Sequence, residues 1–535
     1  MKKILTLVLA LMMVLGCTAM AAPAENTMPI CEPGEIKLSV FMGMETGSEQ
    51  KMATYDEHPA IITWEEITGV DVTFIHPPTG DDGTYFNTLV ASGEWPDIFI
   101  GSHFTSYYPG GVPQAVADGI LMNPNELVEA YASNYMALRD TWEPKVIANF
   151  TTDDGIYRFG AATQVPPVVD QQHSGWVIRK DLLEKFGLEV PTTIDELTNM
   201  LKVFKENGVE YPMASEALNN WQFESGAISG AYGVVSDSFM FLEDGRTVTY
   251  SALQPGYKDY LALLKSWMDA GYLDRDCINR TSTGDTQALF TSGKAGMVYA
   301  GNWTTQQLLA LGKVENPDFD IVPMGNLSLD GSADYVNHFA SPIQNGENGM
   351  WWCISTTCEN PEAAIRALDY LYSYEGIELM VFGPDEWEGQ QIHTTDPESG
   401  MRVFTDFMLN NPDGVPYNTI RYQYTIQNLS SEYCADMELQ QYGAPINAEC
   451  WAVWTGNCNN HQDIPSAITM TAEESTTQIN TMNNINVYLR EKINNIVCGE
   501  DSIDNWDSYV EEIKKMGIDN VIAAYQAACD RYWAR

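Results

Sequence analysis

Short strand-like segments alternate with longer helix-like segments along most of this chain, and this alternation constrains its fold more than any other feature. The apolar runs Ile36 to Phe41 and Val70 to Ile75 are typical of strands, and Gly69 ends a helical segment between them. Asp97 to Ile100 is a further short strand-like run, which opens into Gly101. The order of elements therefore predicts an α/β fold.

Several predicted helices carry explicit start signals. Thr193 precedes Glu196 by three residues, the spacing of a capping box, and Thr471 with Glu474 repeats it before a longer helix. Asn360 followed by Pro361 predicts a helix that runs to about residue 376. The aromatic residues between 257 and 268 have helical spacing, and we interpret them as core.

The N-terminus has the features of an export signal. Three residues, Met1 to Lys3, carry positive charge and precede an apolar run from Ile4 to Gly16 that is too short to span a bilayer. Two cleavage sites compete: one before Cys17, in a sequence that resembles a lipobox, and one after Ala21, in an A-x-A sequence. We expect residues 1–21 to contain a signal peptide and Cys17 to be lipidated, with simple release as the alternative.

Size and charge narrow the classes of partner. The chain has 535 residues, 44% of them hydrophobic, which is enough for two domains with separate cores. Its formal charge is -45 at pH 7, and the loss of Lys2 and Lys3 with the signal makes it more negative. Because phosphate backbones would be repelled, we expect no nucleic acid partner.

Cysteine usage argues against a disulfide framework. Removal of the signal leaves an odd number of cysteines in the folded body, so we expect mostly buried free thiols. Neither Cys353 with Cys358 nor Cys450 with Cys458 and His461 has the spacing of paired zinc ligands. We predict no metal and no cofactor.

A search for catalytic motifs finds no nucleophile elbow, phosphate-binding loop, dinucleotide fingerprint or zinc-protease signature. Tryptophan instead recurs beside glycine and amides where predicted strands or helices give way to loops. An aromatic ring can stack on a sugar while amides bind its hydroxyl groups, so these positions are candidate sugar contacts. They are Asn219, Asn220, Trp221, Asn302, Trp303, Trp351 and Trp451.

The order of segments resembles the extracellular solute-binding proteins of ABC importers, in the large maltose-binding-like carbohydrate group, over about residues 35–535. Five segments carry the resemblance: WEEITGVDVTFIHPP with FNTLVASGEWPDIF, GWVIRKDLLEKFGLEVPTTIDEL, FTSGKAGMVYAGNW, NPEAAIRALDYLYSYEGIELM, and the ending NWDSYVEEIKKMGIDNVIAAYQAACDRY.

The resemblance implies a two-lobe periplasmic-binding-protein-like fold (type II) with a hinge and a ligand cleft. Its expected parts are 35–165 and 325–390 for the first lobe, and 166–324 and 391–535 for the second. This agrees with two candidate crossings taken from the chain itself: residues 163–170, where two prolines enforce an extended backbone, and residues 320–325. By the same resemblance, Trp303 and Trp221 would line the second lobe, Ser102 and His103 the first, and Gln172 the hinge side. Charged residues that maltose binders carry near Ser102 are absent here, which leaves the sugar open.

The expected function is an extracellular receptor that captures an oligosaccharide or glycan fragment without chemistry and delivers it to an ABC permease. The expected receptor is a monomer at the cell surface, attached through a lipid on Cys17, or secreted if that lipid is absent. Two alternatives stay open: a secreted polysaccharide-acting enzyme, and a peptide receptor on the same fold.

Overall fold

The computed structural model describes two α/β lobes, each built around its own sheet. The described residues are 23, 25–78, 81–142, 144–162, 174–218, 226–236, 238–280, 283–339, 347–397, 400, 402–409, 411–413, 415, 417–426, 445–465 and 467–534. The strands are β1 (Ile36–Phe41), β2 (Val70–Ile75), β3 (Ile98–Ile100), β4 (Phe159–Ala162), β5 (Ser174–Arg179), β6 (Tyr211–Ala214), β7 (Phe239–Phe241), β8 (Val248–Tyr250), β9 (Ala295–Gly301), β10 (Ile321–Pro323), β11 (Glu347–Ile354), β12 (Glu386–Trp387), β13 (Gln390–Gln391), β14 (His393–Thr395) and β15 (Arg402–Phe404).

The helices pack on both sheets and extend beyond them. They are α1 (Thr46–Glu49), α2 (Pro59–Thr68), α3 (Asp82–Ser92), α4 (Gly101–Tyr107), α5 (Gly111–Ala117), α6 (Asn125–Tyr131), α7 (Ser133–Arg139), α8 (Pro144–Asn149), α9 (Lys180–Phe186), α10 (Ile194–Glu206), α11 (Pro255–Asp269), α12 (Thr283–Thr291), α13 (Asn302–Glu315), α14 (Pro361–Tyr370), α15 (Tyr374–Phe382), α16 (Asp406–Leu409), α17 (Tyr417–Arg421), α18 (Pro445–Thr455), α19 (Ala472–Val497), α20 (Trp506–Met516) and α21 (Ile518–Trp533). Within the described ranges no helix combines the length and apolar character needed to cross a membrane.

The first lobe is organised by a five-stranded sheet in the order β2-β1-β3-β11-β4. Strands β1, β2 and β3 run parallel, whereas β11 runs antiparallel to both of its neighbours. Because side chains alternate along a strand, Trp351 and Trp352 lie on opposite faces of this sheet. Trp351 packs with Phe104 and Phe41, and Trp352 packs with Leu368 in a separate apolar cluster.

The second lobe is organised by a four-stranded sheet in the order β10-β5-β9-β6. Every residue of β5 and β9 is buried, which is the pattern of strands covered on both faces. One core joins this sheet to α10, α11 and the long helix α19, through residues such as Trp267 and Leu489. The sequence MVYA of β9 therefore lies at the centre of the lobe, and the chain leaves it at Gly301.

The predicted helix starts are confirmed at all three positions, since a helix also begins at Pro361 after Asn360. Thr193 and Thr471 each form both hydrogen bonds of a capping box, and the helices α10 and α19 follow them. Asn360 forms no side-chain cap, and the helix expected to reach residue 376 ends at Tyr370. A second helix begins after Ser373, whose hydroxyl accepts a hydrogen bond from the backbone N–H of Gly376.

Strand pairing and backbone hydrogen bonds show which lobe each part of the chain belongs to. Strand β4 belongs to the first sheet and β5 to the second, so the chain passes between the lobes after Ala162. The candidate crossing at residues 320–325 contains β10, which pairs with β5 in the second sheet. Leu327 then donates its N–H to the Ala227 carbonyl oxygen, within the second lobe. Further along the chain, the Ile426 N–H donates to the Met380 carbonyl oxygen, and the Ile426 side chain packs in the core of the first lobe.

Each described cysteine is a free thiol, and most are buried. This confirms the expectation for those positions. In the described parts of the chain, no three His, Cys, Asp or Glu side chains come close enough together to hold a metal ion.

Candidate functional site

A cavity of about 560 Å³ lies between the first lobe and the C-terminal part of the second. Its first wall is formed by the end of α4 and the start of α5, and its second by residues 464–465 and 468–470, the first turns of α19 and Tyr525 of α21. Thr152, Arg158 and Trp351 of the first lobe complete the lining. A cavity of this size between two domains is typical of a small-molecule binding site.

Trp351 lies against the backbone of the first turn of α4. A Cβ atom on Gly101 would stand 1.6 Å from the indole Nε1 of Trp351, so only glycine permits this approach. On its other side, the Arg158 guanidinium carbon lies 4.8 Å from the centre of the Trp351 ring. The indole is 5% exposed, and it contributes a flat apolar surface to the cavity beside a cation.

Direct contacts join the two walls. The Gly110 N–H donates to the Ser475 Oγ at 3.4 Å, and Arg158 Nη2 donates to the Ala467 carbonyl oxygen at 3.3 Å. Arg531 on α21 bridges the lobes, because its Nε lies 3.1 Å from Asp153 Oδ2 while its Nη1 lies 2.9 Å from Glu474 Oε1. These contacts fix the separation of the walls in the described conformation.

Ser102 and His103 lie in the first turn of α4, at the carboxyl edge of β3, where α/β sheets commonly bind ligands. The His103 ring packs 4.9 Å from Phe41 and 5.8 Å from Phe86, measured between ring centres. Burial lowers the pKa of His103, so the imidazole is neutral at pH 7. Neither side chain lines the cavity described above; Tyr85 and Tyr107 surround this edge as partly exposed rings.

The other predicted contacts are placed differently. Trp451 lies half-buried on α18, a helix that packs on α13 and the second sheet, and it is not part of the cavity lining. Asn302 and Trp303 are the first residues of α13, directly after β9. Their side chains lie outside the described part of the structure, as do residues Asn219, Asn220, Trp221, Gln172 and Cys17.

Sequence reasoning missed most of the residues that form the cavity. Arg158 follows Tyr157 just before β4, and no motif marks it. Tyr525 belongs to a C-terminal helix that was predicted only as a helix. The capping box at Thr471 was the available signal, because it locates the helix start from which Ser475 and Gln478 reach the cavity. Of the described residues that line the cavity, Arg158 is the one with a formal charge.

Comparison with known proteins agrees with this architecture. The profile of the bacterial extracellular solute-binding protein family matches residues 45–378. The fructooligosaccharide ABC transporter substrate-binding protein FusA of Streptococcus pneumoniae is 22% identical over 514 residues, which are 88% of this chain and 86% of FusA. The polygalacturonan/rhamnogalacturonan-binding protein YtcQ of Bacillus subtilis is 27% identical over 241 residues, 44% of each chain.

Solved structures share the fold at low sequence identity. The alginate-binding protein AlgQ2 superposes with a TM-score of 0.72 at 20% identity, covering 95% of this chain and 100% of AlgQ2. FusA from S. pneumoniae, in an EF-hand mutant bound to fructo-nystose, gives a TM-score of 0.74 at 17% identity and covers 93% and 99%. With more than half of its length matched by the family profile, the chain belongs to the bacterial extracellular solute-binding proteins.

Proposed function

We propose that this protein is the receptor of an ABC importer and captures an oligosaccharide or glycan fragment in the cavity between its lobes. The observation that carries the proposal is the lining of that cavity. Aromatic rings of Trp351, Tyr108 and Tyr525 lie there beside neutral hydroxyl and amide groups such as Ser475 and Gln478. Rings that stack on sugars and neutral polar groups that bind hydroxyls are the combination that a carbohydrate needs.

The names of relatives support the same ligand class. FusA is a fructooligosaccharide ABC transporter substrate-binding protein, and YtcQ is a polygalacturonan/rhamnogalacturonan-binding protein. The two names give different sugars, so they do not determine the ligand of this chain.

Binding by lobe closure follows from the position of the cavity. A ligand that contacts α4 and α5 on one side and α19 on the other interacts best when the walls are close, so it shifts the population toward the closed form. The contacts of Arg158 and Arg531 across the walls would be made in that form. We further propose that the closed form is what the permease recognises, and that capture proceeds without turnover.

We propose revised lobe boundaries on the basis of the contacts described above. The first lobe would comprise residues up to 162 and 347–426, and the second 174–339 and 445–534, because the strands of each large sheet lie within one of these two sets of ranges, and the backbone hydrogen bonds of Leu327 and Ile426 stay within theirs. Ser102, His103 and the start of α13 with Asn302 and Trp303 remain proposed contacts at the lobe faces, as do Trp221, Asn219, Asn220, Gln172 and Trp451.

Attachment to the membrane is a separate proposal. A lipid on Cys17 would hold the receptor near its permease, and the described chain is fixed again from Asn26, whose amide nitrogen donates to Asp369 at 3.0 Å. Eight residues lie between the two positions, so the tether is short. Mass spectrometry of the mature N-terminus tests the lipid, and sedimentation velocity tests the proposed monomer.

Blocking the cavity is expected to abolish sugar capture while the fold is retained. Ser106 is exposed and lines the first wall, so Ser106→Trp places an indole where the ligand must lie. We expect at least a tenfold weaker Kd, about 1.4 kcal/mol, in calorimetric titrations with neutral and acidic oligosaccharides. Thr88→Trp, on the exposed surface of α3, is the matched control and should bind as the wild type does.

Chromatography of each titration mixture distinguishes the alternatives. Recovery of intact sugar agrees with a receptor. Conversion of the sugar would identify an enzyme, and saturation by peptides alone would contradict the carbohydrate proposal while leaving the family unchanged.

A further inference from the structure

The cavity between the lobes continues into a second cavity of about 320 Å³ on the second lobe. Ile464, Gln478 and Tyr525 line both cavities, so the two form one groove. Beyond these shared residues, the second cavity is lined by Ser238, Phe239, Met482 and Asn486.

One face of α19 forms the floor of this groove. Ser475, Gln478, Met482 and Asn486 are spaced by three, four and four residues, which places them in one row along a helix. The distance along the helix axis from Ser475 to Asn486 is about 16 Å. A second row, with Ile485, Leu489 and Ile493, is buried in the core of the second lobe and fixes the orientation of the helix.

The polar groups along the groove are available for a ligand. Among the hydrogen bonds of the described residues, none involves the side-chain amides of Gln478 and Asn486 or the hydroxyl of Tyr525, whereas Asn484 on the same helix donates to the Asn480 carbonyl oxygen at 3.1 Å. The Tyr525 ring stacks on Phe239 at 4.1 Å between ring centres, with an interplanar angle of 20°. Burial also raises the pKa of Tyr525 to about 12, so its hydroxyl is a neutral donor and acceptor at pH 7.

Charge narrows the ligand class further. The second cavity is lined by no charged side chain, and the first by Arg158 alone among the described residues. The whole chain carries a formal charge of -45, so a polyanionic sugar would meet repulsion with little local compensation.

We propose that the groove along α19 is a distal subsite, which binds the units of a linear, neutral oligosaccharide that extend out of the cavity between the lobes. This inference rests on the proposed function and adds the length and charge of the ligand to it. Short sugars would occupy the first cavity only. From the trisaccharide upward, further units would extend past the shared residues Gln478 and Tyr525 to Asn486 and gain affinity there.

The test is a chain-length series on the full mature protein. Calorimetry measures Kd for malto-, cello-, xylo- and fructo-oligosaccharides from the disaccharide to the hexasaccharide, with oligogalacturonides as the acidic probe. Asn486→Ala removes one amide from an exposed helix position and is expected to weaken binding of the longest neutral sugar about three- to tenfold. The disaccharide Kd should stay within about twofold of the wild-type value, since that sugar does not reach the residue.

Asn484→Ala on the same helix is the matched control, because Asn484 lies outside both cavities. Unchanged affinity for every length in Asn486→Ala, or an equal loss for all lengths, would overturn the distal subsite while leaving the sugar receptor intact. Preference for oligogalacturonides would overturn the neutral assignment. Failure of the wild type to bind any sugar would instead refute the proposed function, and this subsite with it.

Discussion

When the pH falls from 7 to 5, His58→Asn is expected to lose about 2 kcal/mol less stability than the wild type. His58 is fully buried before α2, where its Nδ1 accepts a hydrogen bond from the Ala60 N–H at 3.2 Å and its Nε2 lies 3.3 Å from the Tyr422 carbonyl oxygen. This arrangement needs a neutral ring with its proton on Nε2. A second proton would point at the Ala60 N–H from within the core.

Burial accordingly lowers the pKa of His58 to about 3, well below the value near 6.5 of an unfolded chain. The unfolded state therefore binds the proton first as the pH falls. The stabilising contribution of neutral His58 is complete above about pH 6.5 and is lost progressively as the pH falls toward 3. Asparagine keeps an acceptor for the start of α2 but does not titrate.

Urea denaturation of wild type and His58→Asn at pH 7 and pH 5 measures how much free energy of unfolding each protein loses. The wild-type profile combines several titrating groups, so the informative quantity is the change between wild type and variant. His461→Asn, at an exposed position, serves as the control and should follow the wild type at both pH values. If the free energy of unfolding falls equally in wild type and His58→Asn between pH 7 and pH 5, His58 does not cause the loss of stability in acid.

Local signals in the sequence predicted the elements that depend on local interactions. The capping boxes at Thr193 and Thr471 form because both partners lie within one turn. Gly69 ends α2 with φ of 77°, a conformation that favours glycine and so marks the helix end in the sequence. The break between α14 and α15 was missed because both helices are rich in buried residues and Ser373 separates them without glycine or proline.

The candidate site was predicted less completely, because its walls are assembled from distant parts of the chain. Trp351 and Trp451 were both candidate sugar contacts because tryptophan recurs in their segments. Trp351 does line the cavity, whereas Trp451 lies on α18, which packs on α13 and the second sheet. Ser106 and Ser475 face the same cavity across more than 300 residues of sequence. Their proximity depends on the docking of α19 on the second lobe, and one sequence contains no periodicity that encodes such a contact.

The resemblance between segments supplied what local signals did not. It placed Ser102 and His103 on the first lobe and Trp303 on the second. In the structure, α4 follows β3 of the first sheet and α13 follows β9 of the second. Its expected return of the chain to the first lobe at residue 325 stays a prediction. Strand β10 at Ile321–Pro323 lies within the range that the resemblance expects for the second lobe, and it pairs with β5 of the second sheet.

Asp369→Ala is expected to lower the free energy of unfolding by about 3 kcal/mol. Asp369 is fully buried at the end of α14, where its carboxylate accepts four hydrogen bonds that join three parts of the first lobe. The donors are the N–H groups of Asn134 and Tyr135 at the start of α7, at 3.2 and 2.8 Å, and the side-chain amides of Asn134 and Asn26, at 2.9 and 3.0 Å. Alanine leaves the N–H groups of Asn134 and Tyr135 without this acceptor, and it removes one of the contacts that hold the N-terminal segment at Asn26.

The pH dependence of this loss identifies the carboxyl group as its cause. Burial raises the pKa of Asp369 to about 6, although the four donors oppose that shift. The folded state therefore keeps the proton longer than the unfolded chain, so the contribution is complete below about pH 4 and is lost as the pH rises through 6. Urea denaturation should show a loss of stability in Asp369→Ala that is about 1 kcal/mol larger at pH 5 than at pH 7.

Glu362→Ala, in the exposed first turn of the same helix, is the control and should change stability by less than about 1 kcal/mol at both pH values. Equal losses of stability in Asp369→Ala and Glu362→Ala would mean that the hydrogen bonds of Asp369 to α7 and to the N-terminal segment do not stabilise the first lobe.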